Sequence, residues 1–441
     1  MLTQRKIFWF WMPLAFSFLL MIFEGPWIQG VISRQDDAAL QLAAFGIVIG
    51  MAVLIETPVI MFLAVGSALA RDKQSYEKLS QYVLIVNILL TILSALVAFT
   101  PLLDLYLGRV LDIPPELIEE TRMPMTILIF WTWFIGYRRF HQGILINHGL
   151  TSTITTGTFI RIIVSAGVAL GLGLWGQVNG AVIGAWSLLS AVVIEMIYVH
   201  FVSRKVVAEL KSIPRKNDQT PLDFMKIMRF HLPLAATTMM SWFILPMTQR
   251  GLAQADNAVD VLAAYPVIFS IMMIMRSGGI AWQEAVIALN KGAAERQALR
   301  KFTIRLGIGT SLGLLLFGLS PLITLYTRDV LSVPENLIPL IRVGVLFAIF
   351  MPLLSTTQSY FRALLMGKDD TNPIYQAMII GFVTTITVLW LGIGQGLPAI
   401  PVALTALTIG VALELIYLWY GLRRIDSQSH QSKLVNSADA V

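Results

Sequence analysis

Hydrophobic residues occur in long runs along this chain, and short polar segments separate the runs. Each run holds roughly 20 apolar residues or more, the length that an α-helix needs to cross the hydrocarbon core of a bilayer. The twelve runs cover residues 7–33, 39–70, 79–103, 121–148, 152–175, 178–203, 227–251, 259–289, 302–325, 340–366, 374–393 and 399–422. The pattern therefore predicts an all-α polytopic membrane protein with 12 transmembrane helices.

Composition supports this class. Of the 441 residues, 56% are hydrophobic and only 13% are charged, whereas soluble domains average about 25% charged residues. The chain has no cysteine, which excludes disulfides and cysteine-based metal sites. It also lacks the glycine-rich phosphate loop of ATPases. We therefore expect no metal, no cofactor and no enzyme activity.

The second half of the sequence repeats the first at a constant offset in residue number. Matching segments are PLA at 13–15 and 233–235, LAAF at 42–45 and LAAY at 262–265, and LY at 105–106 and 325–326. Near the end the offset shortens by one, where EMIY at 195–198 matches ELIY at 414–417. This internal repeat predicts two six-helix lobes with the same orientation in the membrane, related by a pseudo-twofold axis along its normal.

The repeat also sets the expected domain boundaries. We predict an N-terminal lobe at 1–207, a cytoplasmic linker at 208–222 and a C-terminal lobe at 223–425. The polar tail, 426–441, is predicted to be disordered and cytoplasmic.

Basic residues indicate the orientation of the chain. Most lysines and arginines outside the runs lie at the N-terminus and in the loops after even-numbered runs. The positive-inside rule then predicts a multi-pass protein of the plasma (inner) membrane with both termini cytoplasmic. The formal charge of +6 is scattered among loops rather than clustered on one face, so nucleic acid is not an expected partner.

Ionisable residues deep inside the runs are the informative ones. We single out Glu24, Glu56, Arg138, Arg139, Arg161 and Arg276, of which all but Glu24 fall near the predicted midplane. Each charged side chain costs about 2.5–3.5 kcal/mol at a helix centre on insertion scales, so such residues usually face an aqueous cavity or a partner. Their shared depth predicts a binding site between the lobes.

Glu56 and Arg276 occupy equivalent positions of the repeat, because the same offset separates them. If both border a central cleft, their pairing would close the cleft, and substrate or a proton would open it. The alternatives are a static salt bridge between the lobes and two residues that face separate pockets.

A second cluster lies in the segment WTWFIGYRRFHQGILINHG, 131–149. Arg138 and His141 are three residues apart and are predicted to share a helix face, and Arg161 comes from the next helix at similar depth. Guanidinium groups bind phosphate and carboxylate bidentately, so an anionic substrate is expected.

Two alternatives remain for these arginines. Their long side chains would extend to the cytoplasmic headgroups, or Arg138 and Arg161 would pair with Glu56 or Glu24. Separately, Glu195 and Glu414 lie in the inner third of their runs near Arg204 and Arg423, and these are predicted to be repeat-related structural pairs.

The repeated six-helix units, the proline of the first run and the LAAFG at 42–46 resemble the multidrug, oligosaccharidyl-lipid and polysaccharide (MOP) exporter superfamily, which includes the multidrug and toxin extrusion (MATE) transporters. The segment HQGILINH at 141–148, the Gly46-to-Pro58 spacing and Tyr265-Pro266-Val267 are locally similar to the progressive ankylosis family.

The superfamily resemblance implies a V-shaped, two-lobed MATE-like transporter that works by rocker-switch motion. The local resemblance implies an anion, because that family is associated with export of pyrophosphate and release of nucleotide or citrate. Ion-coupled drug exporters of the superfamily commonly carry an aspartate in the first helix. Here the acid is Glu24, at a nearby position that does not match.

We therefore predict a secondary active transporter that exports a small organic or phosphate-containing anion by alternating access, with a proton or sodium as coupling ion. Predicted substrate-binding residues are Arg138, Arg139, Arg161, Arg276 and His141, and predicted coupling or gating residues are Glu24 and Glu56. The alternatives are a MATE-type proton- or sodium-coupled multidrug cation antiporter and a flippase for lipid-linked saccharides.

Overall fold

The computed structural model describes residues 2–214, 222–366 and 372–438, and all regular secondary structure in these ranges is helical. The helices of the first half are α1 (Gln4–Ile32), α2 (Ala38–Ile60), α3 (Phe62–Leu69), α4 (Lys73–Phe99), α5 (Leu102–Asp104), α6 (Pro115–Ile127), α7 (Trp131–Asn147), α8 (Thr151–Trp175) and α9 (Gly180–Ser212). Those of the second half are α10 (Phe224–Ala253), α11 (Ala258–Leu289), α12 (Ala293–Leu319), α13 (Leu322–Thr324), α14 (Ile338–Phe347), α15 (Met351–Met366), α16 (Asn372–Gly394) and α17 (Ala399–Ala438).

The predicted all-α membrane fold is confirmed, whereas the count of 12 spans is not. Within the described ranges, nine helical segments are long and apolar enough to span a membrane, with α2 and α3 counted together. A tenth is added if α14 and α15, which meet at a bend of 42°, form one span. Neither α7 nor α10 is among them. Helix α7 carries two arginines and a histidine, and α10 carries basic residues, a histidine and two prolines.

The internal repeat is visible in the backbone. A π-helical turn occurs at Leu105–Val110 and again at the equivalent positions of the second half, Leu325–Val330. The left-handed residue that follows is Asp112 in the first half (φ 57°) and Ser332 in the second (φ 55°). π-Helical turns are rare, so their recurrence at the repeat offset supports a duplicated unit.

The chain packs into two compact units that do not follow the halves of the sequence. The larger unit comprises Glu24–Val267 and Tyr326–Ile338, and the smaller unit comprises Met1–Phe23, Ile268–Leu325 and Pro339–Val441. The beginning of α1 therefore packs with much of the second half, and α10 packs with the first half. The predicted lobes describe the repeat, and their boundaries stay a prediction.

Each unit has its own apolar core. In the larger unit, the first half of α2 is apolar on every face apart from Gln41, and Leu42, Ala43 and Val48 have no exposed surface. Such a helix must be surrounded by others, and α2 packs against α6, α7, α9 and α10. In the smaller unit, Trp282 of α11 and Leu418 of α17 are fully buried in one cluster.

Inside the larger unit, two glutamines at equivalent positions of the repeat each form a hydrogen bond to the other repeat. The side-chain amide of Gln249 donates to the Gly46 carbonyl (2.8 Å), and that of Gln29 donates to the Pro266 carbonyl (3.2 Å). Gln29 and Gln249 are separated by the repeat offset, as are Gly46 and Pro266. The Pro266 ring occupies the space that a Cβ at Gly46 would need. A residue of one repeat therefore packs against its own counterpart in the other.

A second pair of hydrogen bonds involves Trp11 and His231, which occupy equivalent positions of the repeat. In the smaller unit, the Trp11 indole donates to the Gly278 carbonyl (2.8 Å). In the larger unit, Nε2 of His231 donates to the Pro58 carbonyl (2.8 Å), so Nδ1 of the neutral ring accepts from the Tyr82 hydroxyl (2.7 Å). In each case the first helix of one repeat bonds to the second helix of the other.

Helices continue into both segments that were predicted to be irregular. Helix α9 extends to Ser212, inside the predicted linker at 208–222, and residues 215–221 lie outside the described ranges. Helix α17 extends to Ala438, so residues 426–438 of the predicted disordered tail are helical. That part of the tail contains no glycine or proline, and nothing in it stops a helix.

Candidate functional site

Five helices of the larger unit bring six charged side chains into one network, which we call the charge cluster. Its members are Glu24 of α1, Glu56 of α2, Arg138 and Arg139 of α7, Arg161 of α8 and Glu195 of α9. Three carboxyl groups face three guanidinium groups, so the cluster as a whole is electrically balanced.

Arg161 is held by Glu24. Its Nε donates to Oε2 of Glu24 at 3.0 Å, and Nη2 donates to the same oxygen. Glu24 is only 5% exposed, and its other oxygen has no hydrogen-bond partner among the described residues. The alternative in which Arg161 pairs with Glu24 is thus the arrangement that the structure has.

Arg138 is held by Glu195. Nη1 of Arg138 donates to Oε2 of Glu195, and the Gln142 amide donates to Oε1 (3.1 Å). Nη1 of Arg161 lies 4.0 Å from Oε2 of Glu195, which links this pair to the Arg161–Glu24 pair. Arg138 and Glu195 are almost completely buried, so each ion needs its partner.

Glu56 and Arg139 differ from the other four. Among the residues that the structure describes, neither forms a hydrogen bond or an ion pair within 4 Å, and Oε2 of Glu56 is buried with no partner. Arg139, Arg138 and Arg161 all attract Glu56 through space, without a direct contact. A buried carboxyl group without a partner is costly, so Glu56 is the group in the cluster most in need of a ligand or a proton.

The residues that follow Glu56 interrupt the hydrogen-bond pattern of α2. Pro58 has no N–H for the carbonyl of Leu54, four residues earlier. The Thr57 hydroxyl donates to that carbonyl instead (2.7 Å). Helix α2 ends at Ile60, and α3 begins at Phe62 after the single residue Met61. Glu56 thus lies immediately before a built-in break in a buried helix.

Two predicted site residues lie outside the charge cluster. Arg276 is in the smaller unit, where its Nη1 lies 3.9 Å from Sδ of Met273. The pairing of Arg276 with Glu56 therefore stays a prediction.

His141 lies in the larger unit but faces a different cavity, of about 290 Å³, lined also by Tyr76, Tyr137, His200, Ser203, Arg204 and Lys211. Its Nδ1 donates to the Tyr137 carbonyl (2.9 Å), and its ring stacks on the Tyr137 ring at 4.1 Å. Arg138 and His141 have different hydrogen-bond partners, and the predicted grouping of the two residues stays a prediction. A substrate-binding role for His141 stays a prediction.

The sequence did not identify Glu195 as a member of the cluster, and the predicted pairs with Arg204 and Arg423 are wrong. Glu195 pairs with Arg138, and Glu414 pairs with Arg362 of α15. Arg362 is the repeat equivalent of Gln142, which also donates to the glutamate in its own half. The useful signal was depth, because both glutamates lie inside apolar runs, whereas Arg204 and Arg423 come directly after the ends of those runs.

Solved structures with the same fold cover nearly the whole chain. An inward-facing multidrug resistance MATE family transporter of the MOP superfamily matches with TM-score 0.74 and 14% identity, over 94% of this chain and 96% of that chain. The chain has the fold of the MATE and MOP superfamily transporters. No protein-family model and no curated protein matches the sequence, so the resemblance to the progressive ankylosis family stays a prediction.

Two further structures show how varied this fold is. A MOP superfamily transporter from Pyrococcus furiosus Vc1, described as having a binding pocket of reverse polarity that suggests a different function, matches with TM-score 0.62 and 16% identity over 95% of both chains. The lipid II flippase MurJ in an inward closed conformation matches with TM-score 0.68 and 15% identity, over 92% of this chain and 86% of that chain.

Proposed function

We propose that this protein is a secondary active transporter that moves a small organic or phosphate-containing anion across the plasma membrane by alternating access. The observation that carries the proposal is the contrast within the charge cluster. Arg138 and Arg161 are neutralised by carboxylates, whereas Arg139 and Glu56 have no ion-pair partner among the described residues.

Arg139 is the anion-binding group in this proposal. Its side chain is partly exposed, and a guanidinium group is a strong donor to carboxylate or phosphate. Arg138 and Arg161, which carboxylates already neutralise, hold the surrounding helices in place. The description of the Pyrococcus furiosus transporter as having a pocket of reverse polarity supports the idea that pockets of different charge occur on this fold.

Glu56 is the coupling group. While it is ionised, it competes with a substrate anion for the charge of Arg139, and when it is protonated that competition ends. Binding of a proton and of the anion are then linked, and each raises the affinity for the other. Because Glu56 directly precedes the break in α2, its change of charge acts where that helix can bend.

The test compares Arg139→Gln, Glu56→Gln and the control Arg229→Gln, an exposed arginine outside the cluster, in proteoliposomes with labelled pyrophosphate, citrate, a nucleotide and a cationic dye. A charged hydrogen bond contributes about 1.5–3 kcal/mol, so Arg139→Gln should weaken anion uptake about 10- to 100-fold. Glu56→Gln should retain uptake and lose its pH dependence, and the control should match the wild type.

A multidrug cation antiporter is the second candidate, and the unpartnered carboxyl group of Glu56 favours it. In that case dye transport would require Glu56 and would be unaffected by Arg139→Gln. Anion uptake that is unchanged in Arg139→Gln contradicts the anion proposal.

A further inference from the structure

The smaller unit contains a cavity of about 880 Å³, within the usual size range of ligand sites. Among the residues that the structure describes, its lining includes four basic side chains, Lys291, Arg296, Arg300 and Arg423, and no aspartate or glutamate. We call it the basic cavity. All of its lining residues belong to the smaller unit, so it is separate from the charge cluster.

The backbone brings these cations together. Arg296 and Arg300 are four residues apart in the first turns of α12, so they lie on the same helix face. Lys291 lies in the connection just before α12. Arg423 comes from α17, where its guanidinium carbon lies 3.9 Å from the centre of the Trp419 ring. Like charges at this spacing repel each other, and an anion between them would relieve the repulsion.

The polar groups at the base of the cavity already have partners. The Tyr360 hydroxyl donates to the Arg296 carbonyl (3.4 Å). The Thr303 hydroxyl accepts from the Trp282 indole (2.8 Å) and donates to the Leu299 carbonyl (2.9 Å). The cationic side chains that line the cavity are the groups suited to an anionic ligand.

The rim of the basic cavity is apolar on one side. Ile304 and Trp419 line the cavity and are 45% and 42% exposed. Both belong to helices that are long and apolar enough to span a membrane, and tryptophan is typical of the level of the lipid headgroups. A ligand that fits this rim carries an apolar part beside its anionic group.

The repeat provides an internal comparison. The equivalent cavity of the first half is the one around His141, and it measures about 290 Å³. Tyr76 and Ser80 occupy the positions equivalent to Arg296 and Arg300, and Lys211 lies over the Tyr76 ring at 5.1 Å. The larger, more basic cavity is therefore a property of the second half and not of the duplicated fold.

We propose that the basic cavity binds the phosphate headgroup of an anionic phospholipid from the leaflet on the predicted cytoplasmic side. Basic pockets between transmembrane helices on that side bind such headgroups in other membrane proteins. In this proposal the phosphate lies among Arg296, Arg300 and Arg423. The acyl chains extend out of the cavity along Ile304 and Trp419. This lipid site is independent of the substrate proposed above.

The test is native mass spectrometry of the full chain in detergent, titrated with phosphatidylglycerol or with phosphatidylcholine, and with inorganic pyrophosphate as a soluble competitor. The variant is Arg296→Gln with Arg300→Gln. The matched control is Lys205→Gln with Arg229→Gln, which removes the same charge from exposed residues that line neither cavity. Arg423→Gln serves as a second variant if the double variant does not elute as a single folded species.

Each basic residue near an anionic lipid surface contributes about 1 kcal/mol. We therefore expect the double variant to bind phosphatidylglycerol about 30-fold more weakly and Arg423→Gln about fivefold more weakly, with the control within threefold of the wild type. Equal losses in the double variant and the control overturn the proposal, as does equal binding of phosphatidylcholine. Binding of pyrophosphate without binding of phosphatidylglycerol overturns the lipid as the source of the phosphate.

Discussion

At the scale of single residues, the charge cluster separates structural charges from charges available for ligands. Arg138 and Glu195 are both less than 5% exposed and neutralise each other. Removing one member of such a pair leaves an uncompensated buried ion, whereas replacing both by apolar residues is often neutral. The pair is therefore expected to matter for stability and not for substrate charge.

We expect Glu195→Ala to destabilise the protein by about 3–5 kcal/mol, because Arg138 would remain buried without its partner. The double variant Arg138→Met with Glu195→Met should recover most of that loss. Melting temperature in detergent, followed by tryptophan fluorescence, measures both. Glu209→Ala, which removes an exposed carboxylate from the same helix, should melt like the wild type. A double variant less stable than Glu195→Ala would contradict this account.

The sequence predicted which residues are of interest at this scale, but not how they pair. Glu24, Glu56 and Arg161 could be found because each interrupts an apolar run. The partner of Glu195 could not be found, because the rotation of α9 against α7 decides whether its carboxyl group meets Arg138. Helix rotation depends on packing over the whole interface, and apolar runs without a polar face do not reveal it.

At the scale of helices, glycine determines how closely α3 and α7 approach. A Cβ at Gly143 would collide with the Leu63 carbonyl, and a Cβ at Gly66 would collide with the Phe140 carbonyl. Small residues at such positions allow the backbones of membrane helices to meet. This close contact fixes α7, and with it Arg138 and Arg139, against the segment that follows the break in α2.

Gly143→Ala should therefore destabilise the protein by about 1–3 kcal/mol, the usual effect of overpacking. The obstacle is backbone and cannot move aside as a side chain would. The matched control is Gly167→Ala in α8, where no atom lies within 4 Å of the added Cβ. That control should be neutral, or more stable by up to about 1 kcal/mol, since alanine is the better helix former. Equal melting temperatures for the two variants would refute the close contact.

Helix positions followed from hydropathy alone, and each of the twelve apolar runs lies on helix. Hydropathy did not locate the interruption at Met61 between α2 and α3. The carbonyl of Pro58 receives its hydrogen bond from His231 of α10. A donor so far away along the chain leaves no local signal in the sequence.

At the scale of the whole molecule, the repeats are joined by contacts that occur in equivalent pairs. Gln29 and Gln249 reach across to the other repeat, and Pro266 packs against Gly46. The sequence predicted the duplication, and the recurring π-helical turns support it. The sequence did not predict the compact units. A helix that packs with the other repeat has the same hydropathy as a helix that packs with its own repeat, so hydropathy does not distinguish them.

The contact of Gly46 with Pro266 makes alternating access testable. The chain has no native cysteine, so the double variant Gly46→Cys with Pro266→Cys offers one pair of thiols. If the proposed alternating access opens this contact between the repeats, an oxidant should join the thiols and stop pyrophosphate uptake in proteoliposomes. A reductant should restore uptake. The single variant Pro266→Cys, treated in the same way, should remain active.

Uptake that continues after complete cross-linking would rule out movement at this contact. Failure of the thiols to join would rule out the close approach itself.

The packing of Gly46 against Pro266 also bears on why the two halves occupy one polypeptide. In a homodimer of a single six-helix unit, the residue on the twofold axis would meet an identical copy of itself. Two glycines would leave a gap there, and two prolines would clash. Once the copies are fused, each can mutate separately, and a small residue can be fitted to a large one. Covalent fusion thus frees this position from self-complementarity, and the same freedom allows position 56 to be glutamate while its counterpart at 276 is arginine.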